Sequence, residues 1–182
     1  MTARQGASVE RTVDAPIEAV ATVLGDPRTY DGVVVGTRRI RWFDPSWPDV
    51  GARFHHTLGF GPVVVRDHSE VVEEHLPRYL RLLVHLRPVG SAEVEFRMSP
   101  EGGDRTHVTI TETPVSGPLA LAWSPPAAAV TRWRNARVLH RLGKVASGRA
   151  RTMARGTGGD QDGDGSPDRA VVEPDAGSAP AG

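Results

Sequence analysis

The sequence contains no cysteine. That absence excludes disulfides, thiolate metal sites, iron–sulfur clusters and cysteine nucleophiles, and it fits a reducing compartment. No apolar run approaches the roughly 20 residues needed to span a bilayer. The first ten residues, MTARQGASVE, lack the apolar core of a secretory signal. Charge of one sign is not in excess either: 22 basic residues stand against 22 acidic ones, which argues against a nucleic-acid binder. A soluble, cytoplasmic protein is expected. No glycine-rich loop could cradle a phosphate, and no dinucleotide fingerprint occurs. None of the seven histidines forms a chelating pair at i, i+2 on a strand or i, i+4 on a helix, so neither metal nor cofactor is expected.

What is present suffices for one domain of ordinary size. Residues 148–182 are rich in Gly, Asp, Pro, Ser and Ala. They have too little apolar surface to offset the entropy of ordering, so a disordered tail is expected there, as for residues 1–8. Within the tail, Asp160, Asp162, Asp164 and Gly165 match the first half of a calcium loop. Val171 falls where such a loop needs a bidentate Glu, which favours a solvated acidic linker.

The folded domain is expected over residues 9–147. SVERTV reads as a first strand, ended by DAP. Asp14 is expected to cap a helix that starts near Pro16. Ile17, Val20, Ala21 and Leu24 give that helix an apolar stripe, and GDPRTYDG breaks it around a second short turn. A run of strands follows. Phe54, His56 and Leu58 alternate with His55 and Thr57. Leu80, Leu82, Val84 and Leu86 alternate with polar residues, and Ala92, Val94, Phe96 and Met98 do the same. EGGDRT makes a hairpin turn into HVTITETPV. Such alternation specifies an antiparallel sheet with one wet and one covered face. The last element is a helix from about Pro126 to Ser147. Its apolar side (Ala128, Asn135, Val138, Leu139, Leu142, Ala146) should cover the sheet, with Arg134, Arg137, Arg141 and Lys144 opposite.

The expected fold class is therefore α+β: a curved antiparallel sheet of six or seven strands around a long C-terminal helix, with two short helices after the first strand. This architecture leaves a concavity suited to a small molecule. The segments VDAPIEAVATVLGDPRTYDGVVVG, GARFHHTLGFGPVVVRDHSEVV, TITETPVSGPL and RNARVLHRLGKVA resemble the START-like superfamily, also called SRPBCC, and its polyketide cyclase/dehydrase-like branch most. The resemblance spans nearly all of residues 9–147. It implies a helix-grip fold with an apolar ligand cavity, in a superfamily that binds lipids, hormones, polyketides or quinones and includes a minority of enzymes. Fold alone does not decide among them.

Several polar residues fall on faces meant to be apolar. Glu112 shares a face with Val108 and Ile110, so it points inward. Burial disfavours a charged carboxyl, which suits a general acid or base; the alternative is a carboxylate paired to fix the loop near Pro114. Asn135 sits on the helix's apolar face, either to contact a ligand or to lock the helix by bonding Glu112 or a strand carbonyl. His56 points inward and is an acid or base by type, or else a satisfied core histidine. Asp67 joins the cavity only if the parity it shares with Val63, Val65 and Val71 faces inward. Asp67, His68 and Ser69 are adjacent on one strand and cannot form a triad. Tyr30, Trp42, Phe54, Phe60, Phe96 and Ile110 are expected as cavity wall or core, and Trp47 and Trp123 lie in proline-containing loops.

Three functions remain open. The chain binds a small hydrophobic, lipid-, polyketide- or quinone-like molecule between sheet and helix. Or it is a cyclase or dehydratase for a poly-carbonyl substrate, with Glu112, His56 or Asp67 as base and Asn135 or Tyr30 polarising a carbonyl. Or it meets a partner through the basic helix face, which has no acidic residue between Glu112 and Asp160.

Overall fold

The computed structural model describes residues 6–60 and 63–157, without the side chains of residues 60, 63, 156 and 157. Seven strands form one antiparallel sheet in the order β1-β7-β6-β5-β4-β3-β2. They are β1 (Ala7–Val13), β2 (Thr37–Phe43), β3 (Arg53–Phe60), β4 (Val63–His75), β5 (Tyr79–Leu86), β6 (Gly90–Pro100) and β7 (Thr106–Ser116). From β3 to β7 each strand pairs with its predecessor in sequence. β1 closes the far edge against β7, with Val9 opposite Ile110. Between β1 and β2 lie α1 (Ile17–Leu24), a single 3-10 turn at Pro27–Thr29, and α2 (Tyr30–Val33). After β7 come α3 (Gly117–Leu121) and α4 (Pro125–Thr157). Among the described residues no helix is long and apolar enough to cross a membrane.

The inward strand positions are those of the alternating pattern. Leu80, Leu82, Phe96, Met98, Val108 and Ile110 are buried. They meet Val138, Leu139, Leu142 and Ala146 of α4 in one continuous core, which α1 joins through Val20, Val23 and Leu24. Helix α4 passes over β1 at Gly143, where a Cβ would sit in van der Waals contact with Val13, 3.4 Å from its Cγ2. Pro114 lies within β7 without breaking the sheet: it stands opposite Ala92 of β6, and the described pairing with β1 ends at Ala7 and Glu112.

The structure corrects the sequence reading at three elements. Asp14 does not cap α1. Pro16 holds the N-cap position in extended conformation, no side chain caps it, and Asp14 lies two residues further out. Helix α4 does not stop at Ser147. Residues 148–157, expected as the start of a disordered tail, continue it, because one glycine is followed by strong helix formers. Arg149 also anchors this turn, donating to Asp26 Oδ2 at 2.9 Å and to the Thr22 carbonyl at 3.1 Å. Helix α3 was not expected; Ser116 precedes it and Pro118 sits in its first turn, a favoured start. Trp47 lies in the proline-containing loop between β2 and β3, where it is buried against Tyr30 and Phe54 at ring separations of 5.8 and 4.9 Å. The Asp160–Gly165 motif lies outside the described residues.

Candidate functional site

The inner face of the sheet, α2 with the residues after it, and the first half of α4 surround a cavity of about 80 Å³. One water needs about 10–15 Å³ by the same measure, so the space suits a small compact molecule better than a long chain. Its wall is mainly apolar, with Leu58, Leu82, Val84, Val94, Phe96 and Ile110 contributing. Three polar groups of the sequence reading reach it: His56, Glu112 and Asn135.

Glu112 and Asn135 are already engaged with each other. Asn135 Nδ2 donates to Glu112 Oε2 at 3.1 Å. Arg134 Nη2 donates to the same carboxylate oxygen, and its Nε and Nη2 approach Asn135 Oδ1 at 3.4 and 3.3 Å. The result is a closed three-residue network on the cavity wall that ties α4 to β7. Arg134 was read as part of the solvent-facing stripe. It stands at the edge of the helix's buried arc and folds inward, leaving its side chain 28% exposed.

His56 is the opposite case. It is 2% exposed, and neither ring nitrogen has a hydrogen-bond partner. Phe54 packs against it at a ring separation of 5.6 Å. Burial lowers its pKa to about 4, although Asp67 nearby pulls the other way. The imidazole is therefore neutral at pH 7, with one nitrogen able to donate and one able to accept.

Asp67 does share the inward parity, directly opposite His56 in the register, but it is not part of the cavity wall. Arg87 at the end of β5 occupies it: Asp67 Oδ2 accepts from the Arg87 backbone N–H at 2.7 Å and from its Nε at 3.2 Å, and Oδ1 accepts from Nη2 at 3.0 Å. Burial alone would raise the Asp67 pKa, but these bonds outweigh it and bring the value down to about 2. His68 Nδ1 lies 3.2 Å from Asp67 Oδ1, whereas Ser69 faces the cavity, so no triad forms.

Tyr30, Phe54, Phe96 and Ile110 line the cavity as expected. The Tyr30 hydroxyl is committed, donating to the Leu24 carbonyl at 2.9 Å, and burial pushes its pKa far up. Trp42 is not a wall residue. It is half exposed on the outer face of β2, edge-on to His55. His55, His68 and His85 continue that outer row across β3, β4 and β5 as neighbouring rings. Among the described residues no group of three or more His, Asp or Glu could hold a metal ion. Phe60 ends β3, and its side chain is outside the described residues. Sequence reasoning missed Ser69 and Arg134. Ser69 was no more legible than Asp67, whose parity on β4 it shares.

No family model matches the chain, and no curated protein matches it in sequence. Solved structures do resemble it. The Zhui aromatase/cyclase from Streptomyces sp. R1128 superposes with a TM-score of 0.58 at 19% identity, over 86% of this chain and 99% of that one. A START superfamily protein from Mycobacterium smegmatis gives 0.57 at 14% identity, over 81% and 98%. A conserved protein from Geobacillus kaustophilus gives 0.60 at 19% identity, over 77% and 93%. At these identities the likeness is one of fold: the chain has the START-like, polyketide-cyclase-like helix-grip fold, a curved antiparallel sheet closed around a long C-terminal helix.

Proposed function

We propose that the protein binds a small, largely apolar molecule in the cavity between sheet and α4, with His56 as its polar anchor. One observation carries this reading: a histidine 2% exposed, with both nitrogens unpartnered, on the wall of an otherwise apolar cavity. Buried polar groups are nearly always hydrogen-bonded, and a ligand hydroxyl or carbonyl would supply the bond that the protein does not. Glu112 is not assigned as the anchor, because Arg134 and Asn135 already hold its Oε2. Native mass spectrometry of freshly purified protein, followed by denaturing extraction, tests the proposal. A bound small apolar molecule is expected, lost from a His56→Phe variant that keeps its fold. A clean apo mass together with failure to take up any hydroxylated aromatic probe would sink it.

A second reading rests on the unpartnered ring nitrogens of His56 at the cavity wall. An uncharged imidazole is a base, and in a water-poor cavity it could take the proton from a C–H flanked by two carbonyls, leaving an enolate to attack a third carbonyl. An aromatase/cyclase stands among the structural neighbours, which supports cyclisation as the reaction type. Turnover of a poly-carbonyl substrate that falls with His56→Phe but survives Glu112→Gln would support it.

A further inference from the structure

Helix α4 presents to solvent a stripe of charge that its own surroundings leave unbalanced. At 3.6 residues per turn, Trp133, Arg137, Arg141, Lys144, Arg151 and Arg155 fall within an arc of about 80°, and all six are exposed. The helix contains no acidic residue. Arg134 and Arg149 stand to the side, already engaged by Glu112 and Asp26. Arg137 lies over the Trp133 ring, 4.1 Å from its centroid. No ion pair among the described residues reaches Arg141, Lys144, Arg151 or Arg155. Along the stripe Arg137 and Arg141, Arg141 and Lys144, and Arg151 and Arg155 set like charges one turn apart, an arrangement that destabilises a helix unless anions lie near it.

The compensating charge exists in the same chain. Residues 158–182 carry Asp160, Asp162, Asp164, Asp168, Glu173 and Asp175 against Arg169, a net of −5. The chain as a whole is neutral, so the part through Thr157 carries +5. This acidic segment follows directly on the helix that bears the stripe. From Thr157 to Asp175 the chain can extend about 60 Å, whereas Arg137 to Arg155 spans about 27 Å of helix.

We propose that the acidic segment 160–175 folds back onto the basic face of α4 and occupies it. Tethering raises the local carboxylate concentration into the millimolar range, and several weak exposed pairs act together where single pairs contribute little. The segment then acts as a built-in competitor against any other polyanion, such as an anionic lipid surface or a nucleic acid.

Lys144 is the only lysine in the chain, which allows a direct test on the full-length protein. Zero-length carbodiimide coupling at low ionic strength should join Lys144 to a carboxylate between Asp160 and Asp175. In a mixture of isotopically labelled and unlabelled protein, the joined peptides should come from one chain. The yield should fall about tenfold in 1 M salt, where charges are screened beyond roughly 3 Å, and similarly in an Arg137→Gln/Arg141→Gln variant. The proposal is overturned if Lys144 reacts freely with a succinimidyl ester yet forms no amide to the segment. It is equally overturned if the joined peptides are only of mixed isotope, if Lys144 couples only to carboxylates before Thr157, or if the yield survives salt. Binding of phosphatidylserine-containing vesicles by the native chain as tightly as by a variant with all six acids amidated would also overturn it, because the face would then be open.

Discussion

His56 and Glu112 share one cavity but differ in what the protein does for them, and the difference decides how each should respond to substitution. Glu112 is bonded on its Oε2 by two side chains, so Glu112→Gln removes a charge that Arg134 and Asn135 are built around. A loss of about 1–3 kcal/mol is expected in chemical denaturation, with affinity for the bound molecule nearly unchanged. Loss of ligand with unchanged stability would reverse the roles assigned to these residues. His56→Phe removes two unpartnered polar atoms from the interior and should leave stability equal or higher. The inward pointing of Glu112, Asn135 and His56 was legible from alternation and helical spacing. The Arg134 contact was not, because a long side chain at the edge of a helical arc can lie along either face. Asp67 was undecidable for a different reason: both parities of β4 carry valines, so no apolar face could be read. Trp42 was read by size and alternation, but β2 is the sheet's edge strand, and its outward aromatic packs on His55.

Among the elements, the sheet was readable because four of its strands, β3, β5, β6 and β7, alternate cleanly, whereas helix ends and α3 depended on local contacts. The junction of β6 with α3 shows such a contact. Gly117 has φ +70° and Gly90 has φ +137°, and each backbone fills the space where the other's Cβ would be. A Cβ on Gly117 would stand 2.6 Å from Gly90 Cα and 2.7 Å from the Val89 carbonyl oxygen. Gly117→Ala is therefore expected to lower stability by about 2–4 kcal/mol. Gly102 supplies the control: its φ is +82° with nothing within 4 Å, so Gly102→Ala meets only the left-handed backbone penalty of about 1–2 kcal/mol. Thermal unfolding of both variants separates the clash from the strain; equal effects would mean that the β6–α3 junction relaxes without resistance. The length of α4 belongs to this scale too. Its last turns look like tail by composition, yet Arg149 reaches Asp26 and Ala150 packs against the core.

For the whole molecule, the titrating groups set how stability follows pH. His56 is held near pKa 4 in the fold against about 6.5 in an unfolded chain. As pH falls from 6.5 to 4 the unfolded state takes up a proton that the native state refuses, so stability drops, by roughly 3 kcal/mol for this group. His68, lowered by burial and by His85, acts in the same direction. Asp67 behaves oppositely in mechanism and alike in outcome: its native pKa of about 2 lies below the usual 3.8, so its contribution is present above 3.8 and is lost as pH falls towards 2. Denaturation midpoints from pH 7 to 3 should show the first decline begin near 6.5, and His56→Phe should flatten that limb. An unchanged limb would mean that the cavity admits water freely. The sheet order has a further consequence, for the time course of folding. Strands β2 to β7 can zip as successive hairpins, each closing a short loop. β1 must wait for β7, about a hundred residues away, and that closure costs roughly 4 kcal/mol of chain entropy against 1–2 for a hairpin. Helix α4, which packs over β1 at Val13, is made after all seven strands. Strand β1 is thus made before the six it joins yet is among the last to be secured, and until α4 emerges the exposed edge of β7 is where a nascent chain is open to pairing with the wrong strand.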